Sequence, residues 1–154
     1  MLFRSPIRFI MDHEIFKIPV LGWMFKLAKA IPMAPQRVDA QAYEQAFVQA
    51  RAVLEGGELL CIFPEGGITR DGELGEFKAG VMKLLQTAPV PVVPMALQNL
   101  WGSYFSRAGG AAMSKPFRRG LFSRVGLVAG EAVPPSLVTT EALRDRVAGL
   151  LAVK

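Results

Sequence analysis

No segment limits the possible folds of this 154-residue chain more than Leu59 to Gly80. It opens with a short apolar run, Leu59 to Phe63, bounded by Gly57 and Pro64, which is the pattern of a buried strand. Pro64 has no amide proton to give to a ladder, so the strand stops there. A loop follows with Glu65, the Gly66-Gly67 pair, Thr69, Arg70 and Asp71-Gly72, and a helix is expected from Lys78 to Gln86. In an α/β fold, ligands gather where strands end at their carboxyl edge. Glycines let the backbone come close to a ligand, and the free amides at the next helix start can hold an anion. On residue types alone the same loop is equally an ordinary turn with solvated charges.

Strand and helix signals alternate on either side of this segment. Ile7 to Met11 and Ile31 to Ala34 read as short strands, the second framed by Pro32 and Pro35. Between them Asp12 can cap a short helical turn through Phe16, and Pro19 suits the first turn of a helix through Lys29. Val20, Trp23, Met24 and Leu27 share one face of that helix, fitting either a core helix or one that touches lipid. Asp39 is the expected cap of a helix with Tyr43, Ala46, Phe47, Ala50, Val53 and Leu54 at a 3.6-residue period, ended by Gly56-Gly57. Val92 to Leu97 reads as a buried strand, Val125 to Ala129 as a last strand, and Thr140 as the cap of a terminal helix through Ala152. Trp101, Tyr104 and Phe105 lie close together, as a core edge or an acyl-chain lining, and Arg107 to Gly120 reads as a basic surface loop. The alternation predicts an α/β single domain with a central mixed, mostly parallel sheet flanked by helices.

Composition narrows the function classes. A chain that is 51% hydrophobic can build a core, and its single cysteine excludes an internal disulfide framework. The apolar stretch Ile18 to Phe25 ends at Lys26, well short of the roughly 18 residues that span a bilayer. A mean hydropathy of +0.31 nonetheless points to a membrane surface or a further protein segment as partner. The net charge of +5 is unevenly placed: between Glu76 and Glu131 there are seven basic residues and no acidic one. Such a distribution suits an anionic partner, and a lipid or phosphate headgroup rather than nucleic acid, because no aromatic-basic interleave accompanies it. One His and one Cys at distant positions give no metal-ligand spacing. A thiol hydrolase built on Cys61 and His13 is the reading from another enzyme class, but Cys61 stands mid-strand among apolar residues that disfavour a thiolate.

Phe63-Pro64-Glu65-Gly66 followed by Thr69-Arg70 resembles the Phe-Pro-Glu-Gly-Thr-Arg motif of the glycerolipid (lysophosphatidic acid) acyltransferase family. Phe77-Lys78-Ala79-Gly80 resembles the Phe-Lys-x-Gly that follows it there, and Val90-Pro91-Val92-Val93-Pro94 resembles the late Val-Pro-Val-Val-Pro block. Ala30 to Ala34 is a weaker match to a strand and substrate-contacting loop. Gly67 and Ile68 separate Glu65-Gly66 from Thr69-Arg70, so an ungapped register puts Ile68 where the family has its arginine.

The resemblance implies transfer of a fatty acyl group from acyl-CoA or acyl-carrier protein to the 2-hydroxyl of 1-acylglycerol-3-phosphate, in phospholipid synthesis. It implies no cofactor beyond the thioester co-substrate, and a peripheral position on the cytoplasmic face of the inner membrane. The substrate-binding residues it implies are Phe63, Pro64, Glu65, Gly66, Gly67, Thr69, Arg70 and Lys78, with Arg37 as a further cation. Arg70 or another base would meet the phosphate, and Glu65 would orient the glycerol hydroxyls or the arginine. The family's general base lies in a His-x-x-x-x-Asp motif upstream of these segments. The one histidine here, His13, has Ile18 five residues on. Residues 1–154 are therefore expected to be an acyltransferase domain lacking its N-terminal part, inactive in isolation. The alternative is a non-catalytic lipid-phosphate-binding relative of the same fold.

Overall fold

A computed structural model describes residues 7–17, 19–67, 69, 71–99, 101 and 125–152. The chain divides into two compact units: residues 1–64 with 80–90, and residues 65–79 with 91–154.

In the first unit β1 (Ile7–Asp12) is the central strand, with β2 (Ile31–Met33) on one side and β3 (Leu59–Cys61) on the other, all parallel. Ile10 pairs with Ile31, and Phe9 with Cys61. Parallel neighbours need long crossovers, and helices supply them here. A one-turn helix His13–Lys17 and α1 (Pro19–Leu27) lead from β1 to β2; α2 (Ala40–Glu55) leads from β2 to β3. Asp39 caps α2 as its sequence predicts, accepting a hydrogen bond from the Ala42 amide at 2.9 Å. The Gly56-Gly57 stop is a Schellman turn: Gly57, at φ +73°, donates to the Leu54 carbonyl, and Glu58 donates to that of Val53. The inner face of α2 buries Ala46, Phe47 and Ala50 against Ile10, Ile31 and Leu84 of α3 (Gly80–Thr87). Arg8 closes the edge of this unit with a fork onto Glu58, Nε to Oε2 at 2.8 Å and Nη2 to Oε1 at 3.1 Å.

On α1, Trp23 and Leu27 are 68% and 70% exposed and Met24 is also exposed, so this stripe is not a core face. The helix instead rests on the preceding one-turn helix through Gly22, where a Cβ would come within 2.2 Å of the Phe16 carbonyl oxygen, and through the Phe16–Phe25 ring contact.

In the second unit β4 (Met95–Gln98) and β5 (Gly126–Ala129) form an antiparallel pair, extended by a bridge between Val92 and Val133. The expected mixture of pairings is thus realised as a parallel three-stranded sheet and a separate antiparallel ribbon. The expected buried strand starts later than Val92, because Pro91 and Pro94 interrupt the ladder; within β4 only Ala96 is buried, and Met95 and Leu97 are exposed. The terminal helix α4 (Thr140–Ala152) is capped by Thr139 rather than Thr140, its hydroxyl accepting from the Ala142 amide at 3.0 Å. Leu143 buries α4, and Gln98 donates to its Leu150 carbonyl. Among the described residues no helix is long and apolar enough to cross a membrane. Tyr104, Phe105 and the loop Arg107 to Gly120 lie outside the described residues.

Candidate functional site

β3 ends at Cys61, and Ile62 still packs on the core of the first unit. Phe63 is exposed and Pro64 half-buried; the Glu65 loop, residues 65–79, then belongs to the second unit.

Within that loop the half-buried Glu65 carboxylate accepts a hydrogen bond from the Gly75 amide, 2.9 Å to Oε2. A Cβ at Gly75 would stand 3.1 Å from the same oxygen, a tight contact to which the carboxylate would have to yield. Gly66 has φ +67°, a left-handed conformation, and a Cβ there would meet Lys78 Nζ at 2.6 Å. The Lys78 side chain therefore lies across the bare Cα of Gly66. Lys78 is exposed and has no hydrogen-bonding or ion-pair partner among the described residues, which leaves its ammonium available to an anion.

The next part of the loop is tied to itself. Thr69 Oγ1 lies 2.9 Å from both Asp71 Oδ1 and the Glu73 carbonyl, and accepts from the Gly72 amide at 3.2 Å. Asp71 Oδ1 also accepts from the Glu73 amide at 3.0 Å. That amide, and then the Thr69 hydroxyl, hold the Asp71 carboxyl below its usual range. Gly72, at φ +90°, sits so close to Trp101 that a Cβ would come within 2.8 Å of the indole.

One side chain reaches this loop from far along the chain. Arg144 of α4 donates from Nη2 to the Leu74 carbonyl at 3.0 Å and from Nε to the Gly75 carbonyl at 3.1 Å. The second unit thus brings together Glu65, Gly66, Gly75, Lys78 and Arg144. Gly67 is exposed beside them in sequence, and Thr69 is engaged in the knot around Asp71. Arg70 and Ile68 lie outside the described residues. Arg37 is exposed in the turn between β2 and α2 of the first unit. Gly75 and Arg144 escape a motif reading. Gly75 looks like any loop glycine, and Arg144 is 70 residues from its acceptor with no local pattern to mark it.

The two groups of the thiol-hydrolase reading have other surroundings. Burial pushes the Cys61 thiol up, away from thiolate. His13 has Nε2 2.8 Å from Glu14 Oε1 and Nδ1 3.2 Å from Asp12 Oδ1, at the mouth of the one-turn helix.

Comparison with known proteins bears on what this loop belongs to. The sequence profile of the Acyltransferase family matches residues 1–98. A chloroplastic 1-acyl-sn-glycerol-3-phosphate acyltransferase of Brassica napus is 33% identical over 92 residues, 60% of this chain and 26% of its own length. The 1-acyl-sn-glycerol-3-phosphate acyltransferase of Pseudomonas aeruginosa is 33% identical over 110 residues, 71% of this chain and 41% of its own. The crystal structure of the 1-acyl-sn-glycerophosphate (LPA) acyltransferase PlsC from Thermotoga maritima superimposes with a TM-score of 0.62 at 25% identity, covering 97% of this chain and 55% of that one. The chain spans about a quarter of the plant relative's length and about half of the bacterial structure. With its profile matched over most of its length and its α/β architecture shared with PlsC, the chain belongs to the acyltransferase family that includes the 1-acyl-sn-glycerol-3-phosphate acyltransferases.

Proposed function

We propose that the protein moves a fatty acyl group from an acyl thioester, of CoA or acyl-carrier protein, to the 2-hydroxyl of 1-acylglycerol-3-phosphate, with the Glu65 loop holding the acceptor. The observation that carries this is the pairing in one loop of an amide-anchored carboxylate, Glu65, with the uncommitted ammonium of Lys78 laid over Gly66. A glycerol phosphate offers hydroxyls that a carboxylate can accept from and a phosphate that needs cations. Lys78 supplies a point charge; Arg70, eight residues before it in sequence, would supply the planar fork better suited to phosphate. Glu65 does not face the phosphate, since like charges repel; it orients glycerol hydroxyls or the arginine.

The 2-hydroxyl must lose its proton as it attacks the thioester carbonyl, which calls for a base near neutrality and donors for the oxyanion. His13, with carboxylates at both ring nitrogens and no aspartate five residues on, is not assigned that role. The exposed Trp23, Met24 and Leu27, beside Lys26 and Lys29, support a peripheral place on an anionic membrane surface, where a lysophospholipid acceptor would be met.

The test is steady-state kinetics on the intact natural protein with Glu65→Ala and Arg70→Ala. Both should weaken use of the acceptor far more than use of the donor. Equal losses for both substrates overturn the assignment. Binding without turnover by the intact protein would leave the non-catalytic relative as the reading.

A further inference from the structure

We propose that Arg144 is a positioning residue for the acceptor site, acting on Glu65 through the Leu74–Gly75 peptide; this rests on the reading of the Glu65 loop just given. The Leu74 carbonyl and the Gly75 amide belong to one planar peptide unit. Arg144 Nη2 donates to the carbonyl of that unit at 3.0 Å, and the amide of the same unit donates to Glu65 Oε2 at 2.9 Å. A guanidinium, one peptide plane and a carboxylate are thus joined end to end. A cation on the oxygen draws electrons through the conjugated unit and makes its N–H a stronger donor, so the bond to Glu65 gains from the bond to Arg144.

The second bond of the fork, Nε to the Gly75 carbonyl at 3.1 Å, holds the following peptide as well. Two successive carbonyls gripped by one rigid planar group leave the Leu74–Gly75 plane little freedom to rotate. Without that grip, Gly75 has no side chain to resist such rotation. The helix that carries Arg144 is itself fixed, by the Thr139 cap, the burial of Leu143 and the Gln98 bond to Leu150. Arg144 lies beyond residues 1–98, so a helix outside the family profile sets the posture of the motif glutamate.

The experiment uses the intact protein and the variants Arg144→Gln, Arg144→Lys, Glu65→Gln and the double variant Glu65→Gln with Arg144→Gln. Leucine labelled at its carbonyl carbon and glycine labelled at nitrogen light up only Leu–Gly pairs, of which residues 1–154 contain two, Leu21-Gly22 and Leu74-Gly75. The Leu74–Gly75 amide resonance should move in Arg144→Gln, and also in Glu65→Gln, where Arg144 is untouched and folding is not at issue. Arg144→Gln should raise the acceptor KM about tenfold, with donor KM unchanged. Arg144→Lys, which keeps the charge but not the fork, should recover part of the loss. The double variant should be no worse than Glu65→Gln alone. An unmoved amide in Arg144→Gln, additive losses in the double variant, or a moved amide with unchanged acceptor KM while Glu65→Gln is impaired, overturns the proposal. A Glu65→Gln enzyme with unchanged acceptor KM overturns the reading of the site instead, and the labelled amide then decides by itself whether Arg144 orders Glu65.

Discussion

The parallel sheet of the first unit and the Glu65 loop of the second are held together by different forces. Around β1 the forces are apolar: Ile10, Ile31, Ala46, Phe47, Ala50 and Leu84 form one buried cluster, with Leu60 and Ile62 packed against it. Around Glu65 they are polar and aimed: Gly75 donates to Glu65, Arg144 donates to Leu74 and Gly75, and Thr69 and Asp71 fold residues 69–73 onto themselves. Hydrophobic burial is non-directional and tolerates approximate fits, whereas a hydrogen-bonded carboxylate has one posture. A binding loop built the second way is preorganised, and the apolar unit supplies stability without having to supply precision.

The widest gap between the two regions should appear at Phe47. It is 8% exposed, touches Tyr43 edge-on at a centroid distance of 5.0 Å, and stands on the α2 face that covers the sheet. Phe47→Ala should cost about 3–5 kcal/mol by lost burial and cavity formation. The loss is read as a lower unfolding midpoint in denaturant with the slope unchanged. A cost under about 1 kcal/mol would mean that the sheet does not rest on α2, and the contrast between the units would collapse.

A smaller effect, of another kind, is expected at Gly66. Alanine there must hold φ +67° and bring a Cβ onto the Lys78 ammonium. The backbone part costs about 1–2 kcal/mol, and the contact drives Lys78 from its place. Placing Gly66→Ala in a Lys78→Ala background separates the two, since the contact disappears and the backbone cost stays. Acceptor KM should rise in Gly66→Ala even where stability recovers little in the double variant. A Gly66→Ala protein with native stability and native acceptor KM would show that neither the left-handed turn nor the lysine above it matters.

The same contrast explains which parts of the molecule a reader of the sequence can find. Asp39, the period from Tyr43 to Leu54 and Gly56-Gly57 announce α2 because capping, amphipathicity and the Schellman stop are all local rules, and each is seen in place. The strand Ile7 to Met11 and the strand at Ile31 are found the same way. Local rules leave α1 undecided: Trp23, Met24 and Leu27 form a stripe at helical spacing, yet periodicity cannot say whether a stripe meets core, membrane or water. They also misplace the cap of α4 by one residue, because Thr139 and Thr140 are chemically the same choice. In the site, Glu65 and Lys78 are legible as motif members, but their geometry depends on Gly75 and on Arg144, whose partner is fixed by tertiary structure alone.

The smallest expected effect compares how each unit holds a carboxylate. Glu58, in the first unit, is kept below its usual range chiefly by the hydrogen bond from Arg8; Asp71, in the second, chiefly by the Glu73 amide. Both groups are lowered in the folded state relative to ordinary values of 4.5 and 3.8, so the sign is common to both. Each contributes stability that is present above its unfolded value and is lost as pH falls through the folded one. What should differ is the response to salt. The Arg8–Glu58 fork joins two side chains of full charge that are still partly exposed, and salt weakens such a pair; the Glu73 amide is a fixed partial charge within the same turn, and salt touches it less. Melting temperatures of Glu58→Gln and Asp71→Asn, followed from about pH 6 to about pH 3, should each show a shallower fall than the parent. Raising the salt should shrink the difference for Glu58→Gln and leave most of it for Asp71→Asn. If salt acted equally on both, the two carboxylates would be held by the same kind of force, and the division between a paired full charge and a preorganised loop would not extend to electrostatics.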